Sequence, residues 1–307
     1  MSTDAPSAAH VRLGYALGAL GVLIFAVTIP MTRLATGTVD APQLSPEFVT
    51  LGRAALAGLL SVAWLLLTGA ARPQRAHWRT LLICAGGVVI GFPLFMSLAV
   101  RQVLAVHAAV IVGVLPLVTA VVGAIWLRQR PSRGFWVCAV AGCLLVLAYA
   151  GLRGGGAMHA ADGLLLIAVL SAAIGYVGGA RLTTQGLSAE QVICWILVLG
   201  LPLTLPGTAW LAVTQWPSLV AATPAAWAGF VYVAIGSMWL GFFAWYRGLA
   251  LGGTLRVSQV QLLQPFLTLL AAVPILGESI DTMTLLFALA VIATVFIGRR
   301  MPVHATA

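Results

Sequence analysis

The chain has 307 residues, of which 61% are hydrophobic and only 7% charged. A soluble domain carries roughly 25% charged residues, so this composition excludes a soluble fold and points to a polytopic membrane protein. The net charge of +9 comes from sixteen arginines that stand singly or in small groups between oily runs, a pattern of membrane topology rather than of a phosphate-binding face, and no nucleic-acid partner is expected.

Crossing a bilayer takes about 20 apolar residues. Ten such runs are expected, near 12–35, 46–68, 78–99, 105–127, 134–151, 162–182, 190–213, 225–246, 254–276 and 282–298. Residues 1–11 and 301–307 read as short tails. The first oily run exceeds the roughly 7–15 residues of a signal-peptide core, so it is expected to stay as a span. In that span Gly14, Gly18, Gly21, Phe25, Thr28 and Thr32 form one stripe, with Pro30 near its far end. The glycines suit close helix packing, while Thr28, Pro30 and Thr32 are candidates to line a cavity.

In the second span Arg53 lies about 12 Å deep by the rise per residue. It either binds carbonyls of a neighbouring helix or anchors a substrate carboxylate. In the third, "GFPLFMSL" offers Phe92, Met96 and Ser97 as wall residues. His107 near the start of the fourth span is a polar tip or a gate, and Pro116 interrupts the same span, freeing the carbonyl of Val112. Ser171, Gly175 and Gly178 in the sixth span read as packing residues.

The eighth span places Tyr232, Trp239, Phe243 and Tyr246 on an arc of about 60° at α-helical periodicity. Such a stripe offers ring faces to an aromatic group or a cation; the alternatives are a membrane belt or plain core. In the ninth span, Ser258, Gln261, Gln264, Pro265 and Thr268 share an arc of about 120°. Amides in hydrocarbon are costly unless they face protein or water, so a polar cavity wall is expected, with interhelical hydrogen bonding as the alternative. Pro265 also breaks the helix beside Gln261.

The arginines assign the sides. With a cytoplasmic N-terminus, twelve fall inside and three (Arg33, Arg101, Arg153) outside, so both termini are expected in the cytoplasm. Five of the seven acids, including Asp162 and Glu278, fall outside, and none is expected within a span.

The two halves echo each other. "LPLVTAVVGAIWLRQRPS" (115–132) aligns without a gap to "QPFLTLLAAVPILGESID" (264–281), "TRLA" at 32–35 meets "ARLT" at 180–183, and "SPEFV" at 45–49 faces "SAEQV" at 188–192. With five spans each, residues 12–152 and 153–300 form two repeats of opposite topology, a common device of secondary transporters. The expected fold is therefore all-α, ten transmembrane helices in two inverted five-helix repeats.

Ten spans as five plus five, "QPFLTLLAAVPILGE" and "VTLGRAALAGLL" resemble the drug/metabolite transporter superfamily, EamA type, across essentially the whole chain. "TIPMTRLA" and "VSQVQLLQP" are most similar to its aromatic amino-acid exporters. The fourth span ends in "WLRQRPS" where the family often has Gly-Glu, a departure. The resemblance implies that spans 1, 3, 4, 6, 8 and 9 line a central cavity while 5 and 10 are peripheral.

No nucleotide-binding loop occurs, so ATP is not expected to drive the protein, and no cofactor or metal is implied. No Gly-x-Ser-x-Gly surrounds Ser237 in "AIGSMWLG", so an intramembrane enzyme is not expected. The leading expectation is an exporter of small amino-acid-like metabolites in a bacterial inner membrane, working by alternating access and able to act as a monomer. A multidrug or nucleotide-sugar carrier is the alternative.

Overall fold

The computed structural model describes residues 8–126, 129–153, 159–252, 260, 263–300 and 303–305. Helix α1 (Ala8–Thr36) ends where Gly37 takes a left-handed φ of 68° and donates to the Arg33 carbonyl. Helix α2 (Pro46–Leu67) starts at Ser45, whose hydroxyl accepts the Phe48 N–H at 3.1 Å, with Pro46 in the first turn. The matching serine of the second half does the same work. Ser188 opens α9 (Ala189–Thr214), accepting the Gln191 N–H while Gln191 Oε1 accepts the Ser188 N–H. The echo of "SPEFV" and "SAEQV" is thus a pair of N-caps, which satisfy otherwise orphaned donors.

Two other motifs set helix breaks. A turn of 3-10 helix (Arg75–His77) leads into α3 (Trp78–Cys84), a π-helical stretch (Ala85–Gly91) and α4 (Phe92–Val100). The fourth expected span is not continuous. It divides into α5 (Ala105–Val112) and α6 (Leu115–Trp126), parted at Gly113 and Val114, with Pro116 in the first turn of α6. Strand β1 (Gln129–Pro131) follows, then α7 (Arg133–Arg153) and α8 (Ala160–Thr184).

After α9 come α10 (Trp216–Ala221), α11 (Pro224–Val231), a second π-helical stretch (Tyr232–Gly241) and α12 (Phe242–Gly252). Helix α13 (Gln264–Leu276) carries Pro265 in its first turn, so this proline is not mid-helix as expected but opens a helix. There its missing N–H costs nothing. The chain closes with α14 (Thr282–Arg300) and β2 (Val303–Ala305), which pairs antiparallel with β1. That small clip is an exception to the all-helical expectation.

Seven stretches among the described residues are long and apolar enough to cross a membrane: Arg12–Thr36, Pro46–Leu67, Arg75–Val100, Ala105–Trp126, Ala160–Thr184, Ala189–Thr214 and Pro224–Gly248. Three shorter apolar helices, Trp136–Tyr149, Gln264–Leu276 and Thr282–Thr294, stand at the fifth, ninth and tenth places.

The packing obeys an exchange of halves. Helix α2 lies on α9, and α7 on α14, each pair antiparallel: Ser45 at the start of α2 donates to Gln215 past the end of α9, and Tyr149 late in α7 meets Thr284 early in α14. Helix α1 packs on α11–α12 as α8 packs on α3–α4. Likewise α1 meets α13 as α8 meets α6. At Gly248 an added methyl would lie 2.6 Å from the Gly18 nitrogen, so only glycine lets α1 and α12 touch there. Exposed leucines and valines such as Leu66, Leu67, Val213 and Val220 clothe the outside.

Candidate functional site

The centre of the bundle holds a chamber walled by α1, α2, α3–α4, the α5–α6 break, α8, the second π-helical stretch, α12 and the start of α13. Its cavity volume is about 30 Å³, so the chamber is nearly closed in this conformation. Its polar groups are Thr28, Arg53, Ser237 and Gln264; its rings are Phe25, Phe92, Tyr176 and Phe242. A side pocket of about 20 Å³ continues from it past Gly113, Pro265 and Thr268, sharing Ile29, Val112, Leu115 and Gln264. The α5–α6 break and the first turn of α13 therefore both lie at this wall, in the manner of transporters whose discontinuous helices meet at the binding site.

Arg53 decides the chemistry. Expected either to bind backbone or to hold a substrate, it is only 3% exposed and points into the chamber. Among the described residues no carboxylate pairs with it. One guanidinium nitrogen donates to Ser237 Oγ at a long 3.4 Å, and its Nε has no partner. Ser237 Oγ also shares a 2.8 Å hydrogen bond with Thr28. The Oε1 of Gln264 is buried and without a partner as well. Desolvating one ion costs several kcal/mol unless an opposite charge repays it. Arg53 is thus a buried cation with unused donors, in the same chamber as the unpaired acceptor of Gln264.

Phe25 meets Phe242 edge-on at 5.0 Å, and Tyr176 meets Phe242 at 6.2 Å, so three rings line one flank. Tyr232 is not one of them: its hydroxyl donates to the Ile24 carbonyl at 2.9 Å, tying the π-helical stretch to α1.

The expected wall residues divide accordingly. Thr28, Phe92 and Gln264 line the chamber, and Pro265 the side pocket. Thr32 is fully buried and donates to the Thr28 carbonyl at 2.7 Å, and Pro30 lies buried beside it, so both act within α1. Met96 and Ser97 are buried in the packing of α4 rather than facing the chamber. Ser258 and Gln261 lie outside the described residues, and the side chain of Pro116 does too.

The ring stripe is displaced by one residue. Trp239 meets Phe243 at a tilt at 4.8 Å and Phe243 meets Trp64 edge-on at 5.5 Å, away from the chamber, while Tyr246 borders a pocket at the Arg247 end. Ser237, Met238 and Phe242 face the chamber instead. The cause is the π-helical stretch: extra residues per turn rotate everything beyond it, so an arc drawn at α-helical periodicity selects the wrong face. Nothing in the sequence announces that rotation except Gly236 and Gly241.

A second polar cluster closes the end of the bundle near Arg33. Its Nε lies 3.3 Å from Glu278 Oε1, and its guanidinium also donates to the carbonyls of Val100 and Val103. Both oxygens of Glu278 accept N–H groups from the first turn of α5, Ala105 and Val106, each at 2.8 Å. Two residues on, His107 is not a lone polar tip: its Nε2 lies 2.7 Å from Asp162 Oδ1. Asp162, expected outside the spans, is fully buried in the first turn of α8 and also accepts the His159 N–H. Among the described residues no group of three or more metal ligands occurs.

Long apolar helices packed around a polar, cation-bearing chamber define a multi-pass membrane transporter. Comparison with known proteins gives the family: the profile of the EamA-like transporter family matches residues 12–150 and again 159–298, and the chain belongs to that family. The uncharacterized transporter YdeK of Bacillus subtilis (strain 168) is 42% identical over 287 residues, covering 94% of this chain and 97% of that protein. One solved crystal structure superposes with a TM-score of 0.62 at 18% identity, over 93% of this chain and 97% of that one, a likeness of fold. Family and relative are transporters, not enzymes.

Proposed function

We propose that the chain is a secondary carrier exporting small carboxylate-bearing metabolites with apolar bodies, the class that includes aromatic and bulky neutral amino acids. It crosses a bacterial plasma membrane ten times, with both termini in the cytoplasm, and works by alternating access between two inverted halves. The Arg33–Glu278 end is then the outer one. Antiparallel packing of α2 on α9 and α7 on α14 supports the inversion, as do the paired breaks at Gly113 and Pro265.

One observation carries the substrate reading: Arg53 is a buried cation without a carboxylate partner, beside Ser237, Thr28 and Gln264. A carboxylate entering the chamber takes the free guanidinium donors, and the Phe25–Phe242–Tyr176 flank takes the apolar body. Sugar nucleotides suit it poorly, because a diphosphate asks for more than one cation and Arg53 is alone among the lining residues. Permanently cationic drugs are repelled by the same charge.

The test is counterflow in proteoliposomes with radiolabelled L-phenylalanine, L-leucine and their 2-oxo acids, with and without a pH gradient. Arg53→Gln is expected to abolish flux and Arg53→Lys to retain a fraction of it. Full flux in the glutamine variant overturns the assignment.

A further inference from the structure

Building on Arg53 as the carboxylate anchor, we infer that the chamber is made for organic monoanions, one carboxylate on an apolar or aromatic body, in preference to zwitterionic amino acids. The charge inventory carries this. The lining residues hold one cation and no acid. All seven acids lie elsewhere in the chain. Asp4 is in the N-terminal tail, Asp40 and Glu47 surround the start of α2, and Glu190 and Asp281 stand at the starts of α9 and α14. Asp162 and Glu278 are engaged by His107 and Arg33. Residues 253–263, which precede α13, contain no Asp or Glu that could supply one.

An ammonium group brings three N–H donors and needs acceptors for each once it leaves water. Among the described residues the chamber offers two side-chain acceptors that no hydrogen bond occupies, Gln264 Oε1 and the Tyr176 hydroxyl. The hydroxyls of Thr28 and Ser237 are bonded to each other, and Ser237 also accepts from Arg53. The nearby Ile24 carbonyl is taken by Tyr232. A zwitterion therefore buries a second positive charge close to Arg53 with no carboxylate of the described residues to pair it, and the complex keeps a net charge of plus one. A monoanion leaves the chamber neutral and every ionic group paired. Helix α13 begins at the wall, and the positive end of its peptide dipoles adds to the field of Arg53 in favouring an anion.

The experiment compares three probes with one phenyl body: phenylpyruvate, L-phenylalanine and phenethylamine, titrated calorimetrically into the full-length purified protein at pH 7.5. Phenylpyruvate is expected to bind at least about tenfold more tightly than L-phenylalanine, and phenethylamine to give no signal, in line with the cost of an unpaired buried charge. Arg53→Gln removes phenylpyruvate binding, while Arg53→Lys weakens it and keeps the order. L-phenylalanine binding as tightly as phenylpyruvate, and in an Arg53-dependent way, overturns the monoanion preference and leaves the carrier reading standing. Binding of neither carboxylate, or binding indifferent to Arg53, overturns both. Because the central comparison uses the unmodified protein, it stands even if the glutamine variant misfolds.

Discussion

Glu278 reaches across the molecule to Arg33, 3.3 Å from carboxylate oxygen to Nε, while its two oxygens cap the first turn of α5. One side chain thus ties the loop after α13 to the ends of α1 and α4 and to the start of α5. Removing one partner of a buried ion pair typically costs about 3–5 kcal/mol, because the other charge stays behind unpaired. Glu278→Ala is expected to lower the thermal midpoint of the purified protein by several degrees and to loosen that end of the bundle. Glu278→Gln, which keeps an acceptor for one α5 amide, falls between. Unchanged melting in both removes the latch from the account of how this end closes.

Ser237 is the single acceptor that Arg53 has among the described residues, and it also bonds Thr28. Ser237→Ala deletes both contacts without a large change in volume. Folding is expected to survive, since a lost neutral hydrogen bond costs about 1 kcal/mol. Substrate affinity is expected to shift several-fold as the guanidinium reorients. Equilibrium binding to the variant, beside its melting curve, separates the two effects.

Two adjacent phenylalanines test the register set by the π-helical stretch. Phe242 faces the chamber and touches Phe25, whereas Phe243 packs between Trp239 and Trp64. Phe242→Ala is expected to weaken binding of aromatic substrates more than that of aliphatic ones. Phe243→Ala is expected to cost stability, about 3 kcal/mol or less because the site is only partly buried, with little change in selectivity. The reverse pattern in a binding assay returns the ring stripe to the face that plain helical periodicity predicts.

The pair His107–Asp162 makes a fourth prediction. Asp162→Asn replaces a fully buried carboxylate that accepts from both His107 and the His159 N–H. An amide keeps one acceptor and cannot ion-pair, so α5 is held less firmly against α8. His107→Gln and Asp162→Asn are expected to destabilise by about 1–3 kcal/mol each. The double variant is expected to cost less than their sum, as for groups that share one interaction. Strict additivity in chemical or thermal unfolding would show that the two act separately.

Gly248 gives the last. A side chain there meets the α1 backbone at Gly18, so Gly248→Val is expected to separate α1 from α12 and to abolish transport through misfolding. Gly163→Ala, with open space around it, is expected to leave the melting temperature and flux unchanged.

Much of this was readable from residue order. The oily runs, the arginine spacing and the repeated motifs led to the helices, and Ser45 and Ser188 proved to be matched caps. Thr28 and Arg53 reach the chamber from helices whose turn is regular up to that point, whereas Phe92 follows the first π-helical stretch and Gln264 opens α13. The misplacement of Trp239, Phe243 and Tyr246 has one source, the change of helical pitch from Tyr232 to Gly241, which apolar periodicity does not encode. Phe25 and Tyr176 share the chamber by tertiary contact between spans, and no spacing rule links positions so far apart. Asp162 was misjudged because a short-range reading placed it at a boundary, whereas its partner His107 comes from another helix.

The departure in "WLRQRPS" bears on how the two ends of the molecule compare. Aligned with the second half, Gln129 occupies the place of Glu278, and Arg181 that of Arg33. A neutral amide cannot form an ion pair with arginine, so the buried clasp has no symmetry mate in sequence; among the described residues the other end carries only the exposed, 4.0 Å pair of Arg247 and Glu190. A seesaw with one weighted arm does not rest level: under the rocking mechanism proposed above, such a molecule starts from a biased posture, and solute has to supply the difference.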